Sequence, residues 1–130
     1  MPTATINTAE LNRVLEHCAA HPDQHYQGTF LDVAEEDRDR VWTGDDTALV
    51  AGWEQHIVGC VAGWTAILNG WRPMRPDSSY VTKDGATSNV YTVARDILGL
   101  SNQQAEWLFS WARDLTDASR LAEKFGVDAA

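Results

Sequence analysis

Four residues near the end of the first helical stretch could ligate a metal: His17, Cys18, His21 and His25. Histidines four apart on a helix share a face, and two imidazoles on one face are the beginning of a Zn²⁺ site. Pro22 interrupts that face, so His25 falls on a loop, and a fourth ligand such as His56 would have to come from elsewhere. The spacing therefore predicts a surface helix end with no metal role. His56 stands one helical turn before Cys60, the arrangement of a base beside a nucleophile. Cys60 is however embedded among Val58, Val61, Ala62 and Trp64, where a thiol acts as a small buried hydrophobe. The chain contains no Ser-His-Asp order, nucleophile elbow, phosphate-cradling glycine loop or dinucleotide fingerprint. No catalytic residue, metal site or cofactor is expected, and the chain reads as a non-enzyme.

Three larger patterns concern binding. Asp32 to Asp46 carries Glu35, Glu36, Asp37, Asp39, Asp45 and Asp46 against Arg38 and Arg40. It lacks the ligand order of an EF-hand and reads as a solvated acidic loop; the alternative is an acidic DNA mimic that occupies a basic groove on a host nucleic-acid-binding protein. Val93 to Trp111 has the outline of a helix-turn-helix, with Asn102, Gln103 and Gln104 at the start of the second helix. A DNA-binding regulator is thus a second alternative, but no basic patch backs the helix, and a packed αα-hairpin explains the segment without nucleic acid. Six tryptophans remain: Trp42, Trp53, Trp64, Trp71, Trp107 and Trp111. Trp64 belongs to the core. Trp107 and Trp111 lie four apart on one face, offset from Leu108 and Ala112, and tryptophan is the residue most enriched at interaction hot spots. Trp107 and Trp111, with Trp71 and the acidic loop at the rim, form the predicted interaction face.

These groups need a scaffold, and the composition describes one. The chain has 130 residues, ten basic against nineteen acidic, net charge −9 and 44% apolar residues, which suits one globular domain over residues 1–130. Free nucleic acid is a poor partner for that charge. The longest apolar run, Ile57 to Leu68, is shorter than the roughly 20 residues of a membrane span. Two cysteines without short spacing and an N-terminus without an apolar region point to a reducing, cytoplasmic setting.

The periodicity predicts a first helix from Thr8, with Leu11, Val14, Leu15 and Cys18 inside and Pro22 as its stop. A short extended piece follows near Phe30, and another helix begins near Asp46 or Thr47 and takes in Leu49 and Val50. Ile57 to Leu68, apolar all round, reads as one central helix, with Gly59 and Gly63 forming a groove for a close backbone and Gly70 as its end. Asp84-Gly85 predicts a hairpin turn, Asn89 and Gly99 bound the next helix, and Ser101 with Gln104 is a capping box. A last helix opens at Thr116 or Asp117. The expected fold is mainly α: a compact bundle of about five helices around a buried central helix, with one small β-hairpin.

Ala20-His-Pro-Asp23, Gln27-Gly-Thr-Phe30, Gly59-Cys-Val-Ala-Gly-Trp64, Ala94-Arg-Asp-Ile-Leu-Gly-Leu-Ser101 and Ala105-Glu-Trp-Leu-Phe109 resemble a group of small uncharacterised proteins of actinobacteria and their phages. The Cys-x-Ala-Gly-Trp core is the most specific part. Members often carry a further Cys about five residues earlier, where this chain has Gln55. The resemblance implies a helical cytoplasmic protein of phage or actinobacterial setting and no particular activity. Taken together, the chain is expected to be a non-enzymatic accessory protein that binds another protein, a host factor or a second copy of itself.

Overall fold

The computed structural model describes residues 6–26, 30–43, 49–74 and 80–111, without the side chains of Glu35, Ser110 and Trp111. The first helix, α1, spans Thr8–Ala20. Asn7 rather than Thr8 caps it, its Oδ1 accepting from the Glu10 N–H at 3.2 Å. Leu11, Val14 and Cys18 are buried at helical spacing. The helix stops before Pro22, which starts a single 3₁₀ turn over Pro22–Gln24.

The expected helix over Ile57 to Leu68 is divided. Val58–Gly59 is a strand, β2, paired antiparallel with β1 (Leu31–Asp32). The helix, α3, covers only Val61–Leu68, with extended Cys60 at its N-cap position. Continuous apolarity does not distinguish a buried strand from a buried helix, and β-branched Ile57 and Val58 take the extended form once β1 offers a partner. From Val61 to Ala66 every residue is buried, with Trp64 at 1% exposure. The glycines do admit a close backbone, though they stand on a strand and a helix rather than on one helix. A Cβ built on Gly63 would lie 1.9 Å from the Phe30 carbonyl oxygen, and one on Gly59 2.6 Å from it.

The expected acidic loop is also corrected. Glu35–Asp37 is a 3₁₀ turn and Arg38–Val41 a short helix, α2, and this stretch places Val33, Val41 and Trp42 in the core. Glu36, Asp39 and Arg40 are exposed on this structured segment, and Arg40 and Asp37 form an ion pair at 3.2 Å. Leu49 bridges to Trp42 in antiparallel fashion and Val50 donates to the Val41 carbonyl, so these two residues extend the chain instead of opening a helix. Asp45, Asp46 and Thr47 lie outside the described residues, as do Gln27-Gly-Thr29, Pro76 and the helix expected from Thr116.

After α3, Arg72–Pro73 forms β3, which pairs with β4 (Tyr80–Lys83), itself paired with β5 (Ala86–Asn89). Asp84 and Gly85 turn the hairpin with φ of 51° and 84°, the two positive values of a type I′ turn. The mainly α class is therefore overturned: two antiparallel sheets, of two and three strands, make a mixed α/β fold. A two-residue strand that includes a proline carries no periodic signal, which is why only the hairpin shows in the sequence.

The next helix, α4, spans Val90–Leu98; the Asn89 side chain accepts from the Thr92 N–H, and Gly99 ends the helix at φ 67°. Ser101 and Gln104 form the reciprocal capping box, Ser101 Oγ accepting from the Gln104 N–H at 3.1 Å and Gln104 Oε1 from the Ser101 N–H at 2.9 Å. The helix they open, α5, covers Asn102–Glu106 and passes into a π-helical turn over Trp107–Trp111. Helices α1 and α4 both pack on α3, which is thus the centre of the core. Among the described residues no helix is long and apolar enough to cross a membrane.

Gly63→Ala is expected to destabilise the protein by about 2 kcal/mol or more, because backbone must move to admit the methyl. Gly85→Ala, where nothing lies within 4 Å of the new Cβ, should cost only the strain of a positive φ, about 1 kcal/mol. Urea unfolding of both variants checks the order.

Candidate functional site

An open cleft of about 470 Å³ lies at the end of α3, walled by Trp53, Trp64 and Trp71 together with His17, Glu54 and Arg72. Local chain geometry delivers each side chain. Gly70, at φ 90°, reverses the chain after α3, and the N–H groups of Gly70 and Trp71 donate to the carbonyls of Ile67 and Ala66 at 3.1 Å each. This Schellman closure brings Trp71 back against the helix it has just left. Trp53 opens the 3₁₀ turn Trp53–His56 after Gly52 at φ 80°. Gln24 holds that turn, its Nε2 donating to the Glu54 carbonyl at 2.5 Å and to the Ile57 carbonyl at 3.3 Å.

Trp64 is almost wholly buried and its Nε1–H donates to the Gln24 carbonyl at 2.7 Å. His17 leans on it, ring centroids 4.6 Å apart, and stacks on His21 at 4.5 Å. The His17 Nε2 is buried without a hydrogen-bond partner. Burial lowers the His17 pKa, and the neighbouring charges of His21 and Arg13 add to the effect, so the imidazole is held neutral. Trp53 and Trp71 are half-buried, and neither indole N–H has an acceptor among the described residues. The exposed side chains of Glu54 and Arg72 likewise carry no hydrogen bond or ion pair there, including with each other.

The other sequence-derived candidates are placed as follows. Trp71 lies in this cleft, but Trp107 does not line it; Trp107 is half-buried against the core at the π-helical turn. The side chain of Trp111 lies outside the described residues, and with it the expected face of Trp107 and Trp111. His17 and His21 stack, Cys18 is buried, and His25 pairs with Gly59 as a bridge. Among the described residues no group of three or more His, Cys, Asp or Glu is arranged to hold a metal. Burial pushes the Cys18 thiol up to about 12 and the Cys60 thiol up to about 11, so neither is a thiolate nucleophile near neutral pH.

In the helix-turn-helix segment, Asn102 is engaged with the fold. Arg95 Nη1 donates to its Oδ1 at 2.7 Å and the Tyr91 hydroxyl to its carbonyl at 3.0 Å. The Tyr91 bond is to the main chain, so a base-reading Asn102 side chain would have to leave Arg95. Trp53, His17, Glu54 and Arg72 were not legible as one site, because they come from three separate segments. The signals nearest to it are the surplus of tryptophan and the positions of Gly52 and Gly70.

No family model matches the chain, and searches of curated proteins and of solved structures find no similar protein either.

Two measurements check this electrostatic description. The lowered His17 pKa means that the unfolded chain binds the proton more tightly, so His17 contributes stability that is complete above its ordinary value of 6.5 and is lost as pH falls from there toward the folded pKa. Urea unfolding between about pH 7.5 and pH 5 should show that loss, and His17→Gln should flatten it. Both thiols should resist alkylation in the native protein at neutral pH and react at once in denaturant, as mass spectrometry would show.

Proposed function

We propose that the chain is a non-enzymatic accessory protein, of phage or actinobacterial setting and cytoplasmic, that works by binding a protein partner, with Trp71 as the contact anchor. The observation that carries this reading is the pair Trp53 and Trp71: two half-buried indoles that line an open cleft and whose N–H groups have no acceptor among the described residues. Large rigid aromatic area with an unsatisfied polar tip is the chemistry of an interaction hot spot. The protonated thiols Cys18 and Cys60 add nothing catalytic to it. The partner is a host factor or a second copy of the chain, and the site moves from the Trp107 and Trp111 face to the cleft. The acidic surface, net −9, supports a protein partner over nucleic acid.

Trp71→Ala should release a stoichiometric protein that copurifies with the wild-type chain from an actinobacterial host, while the melting curve stays cooperative. Trp107→Ala, which removes area packed on the core, should lower stability by about 2–4 kcal/mol and leave the partner bound. Retention of the partner by a folded Trp71→Ala variant would overturn the assignment.

A further inference from the structure

Unpaired charges of both signs at one small aromatic cleft are an unusual arrangement in a chain with a strong net negative charge. Glu54 and Arg72 both line the cleft, yet no ion pair joins them and neither has another partner among the described residues. Both side chains are exposed and line the same cleft, so an occupant that carries both signs of charge could engage each of them. The indoles of Trp53, Trp64 and Trp71 line the same cleft. The N–H groups of Trp53 and Trp71 have no acceptor among the described residues, and an indole N–H can only donate.

Each group selects a part of the occupant. Arg72 and the free indole N–H groups call for an acceptor with negative charge, and a carboxylate fits a guanidinium with two parallel bonds. Glu54 calls for a cationic donor, and an ammonium gains further from the faces of the tryptophans. The apolar walls call for a flat hydrocarbon body, for which ring-on-ring contact adds to simple burial. His17, held neutral beside Trp64, adds no second positive charge to the site. The volume of about 470 Å³ is that of a small-molecule site, which commonly spans about 300–1,000 Å³.

We infer that this cleft binds a small zwitterion of the aromatic α-amino-acid class, its ring against the half-buried Trp53 and Trp71, its carboxylate on Arg72 and its ammonium on Glu54. The inference rests, like the proposed protein contact, on this cleft as a binding surface and on Trp53 and Trp71; Glu54 and Arg72 belong to the inference alone.

Calorimetric or NMR titration of the full chain tests it, with L-phenylalanine, phenethylamine, which lacks the carboxylate, and 3-phenylpropionate, which lacks the ammonium. L-Phenylalanine should bind saturably, and each analogue should bind about two- to fivefold more weakly, the range of one solvent-exposed charge pair. Arg72→Gln should erase the preference over phenethylamine and Glu54→Gln the preference over 3-phenylpropionate. Both side chains are exposed, so both variants should keep the wild-type circular dichroism spectrum. Trp71→Ala should weaken all three ligands together. Absence of saturable phenylalanine binding, analogues that bind as tightly as phenylalanine, or preferences that survive the two charge variants would overturn the inference. A failed titration beside loss of a protein partner in Trp71→Ala removes this inference alone; a successful titration beside a retained partner removes the protein-contact reading alone.

Discussion

The Phe30 carbonyl oxygen stands where a side chain on Gly59 or Gly63 would have to be, and most of the architecture follows from that approach. It brings Phe30 to Asp32 alongside the start of α3, close enough for Leu31 and Asp32 to pair with Gly59 and Val58. The Tyr26 N–H reaches the Gly59 carbonyl at 3.0 Å, and Trp64 closes the other side by donating to the Gln24 carbonyl. Gln24 in turn holds the 3₁₀ turn that carries Trp53 and Glu54. One close contact, permitted by two missing side chains, thereby sets both the entry to the central helix and one wall of the cleft.

The far end of α3 is held by charge and hydrogen bonding. Arg13 Nη2 donates to the Leu68 carbonyl at 3.3 Å and Lys83 Nζ to the Asn69 carbonyl at 3.0 Å, so cations from α1 and from the hairpin meet the negative end of the helix dipole. Glu10 completes the clamp: it pairs with Arg13 at 2.6 Å and accepts from Asn69 Nδ2 at 2.8 Å, and the Arg13 hydrogen bond holds its carboxyl below the usual range. These partners satisfy carbonyls that a helix end would otherwise leave unbonded.

How much of this was legible depended on whether the responsible signal was local. The Asn89 cap, the Ser101 and Gln104 box, the Asp84-Gly85 turn and the glycine ends at Gly70 and Gly99 are short-range chemistry, and the structure has all of them. The space that Gly59 and Gly63 leave was also readable, since small residues in an apolar run imply something close. The identity of what came close was not, and with it went the division of Ile57 to Leu68 into strand and helix. In the stretch from Asp32 to Asp46 the charges outnumber Val33, Val41 and Trp42, so the sparse apolar residues that anchor it were hidden by those that face water. The cleft was the least readable feature, because His17, Trp53, Trp64, Trp71 and Arg72 acquire meaning only when the chain returns to the end of α3. Trp71 was singled out, though for a different surface.

Pro73 lies on the outer strand of the three-stranded sheet, opposite Val81, and its carbonyl accepts the Trp42 Nε1–H at 3.2 Å. A proline has no N–H to give, and here the oxygen beside it is already taken by a buried indole. At that position the sheet offers a fourth strand neither donor nor vacant acceptor. An edge finished in this way limits its own growth, so the same residue that obscured the strand in the sequence keeps neighbouring molecules from zipping onto it.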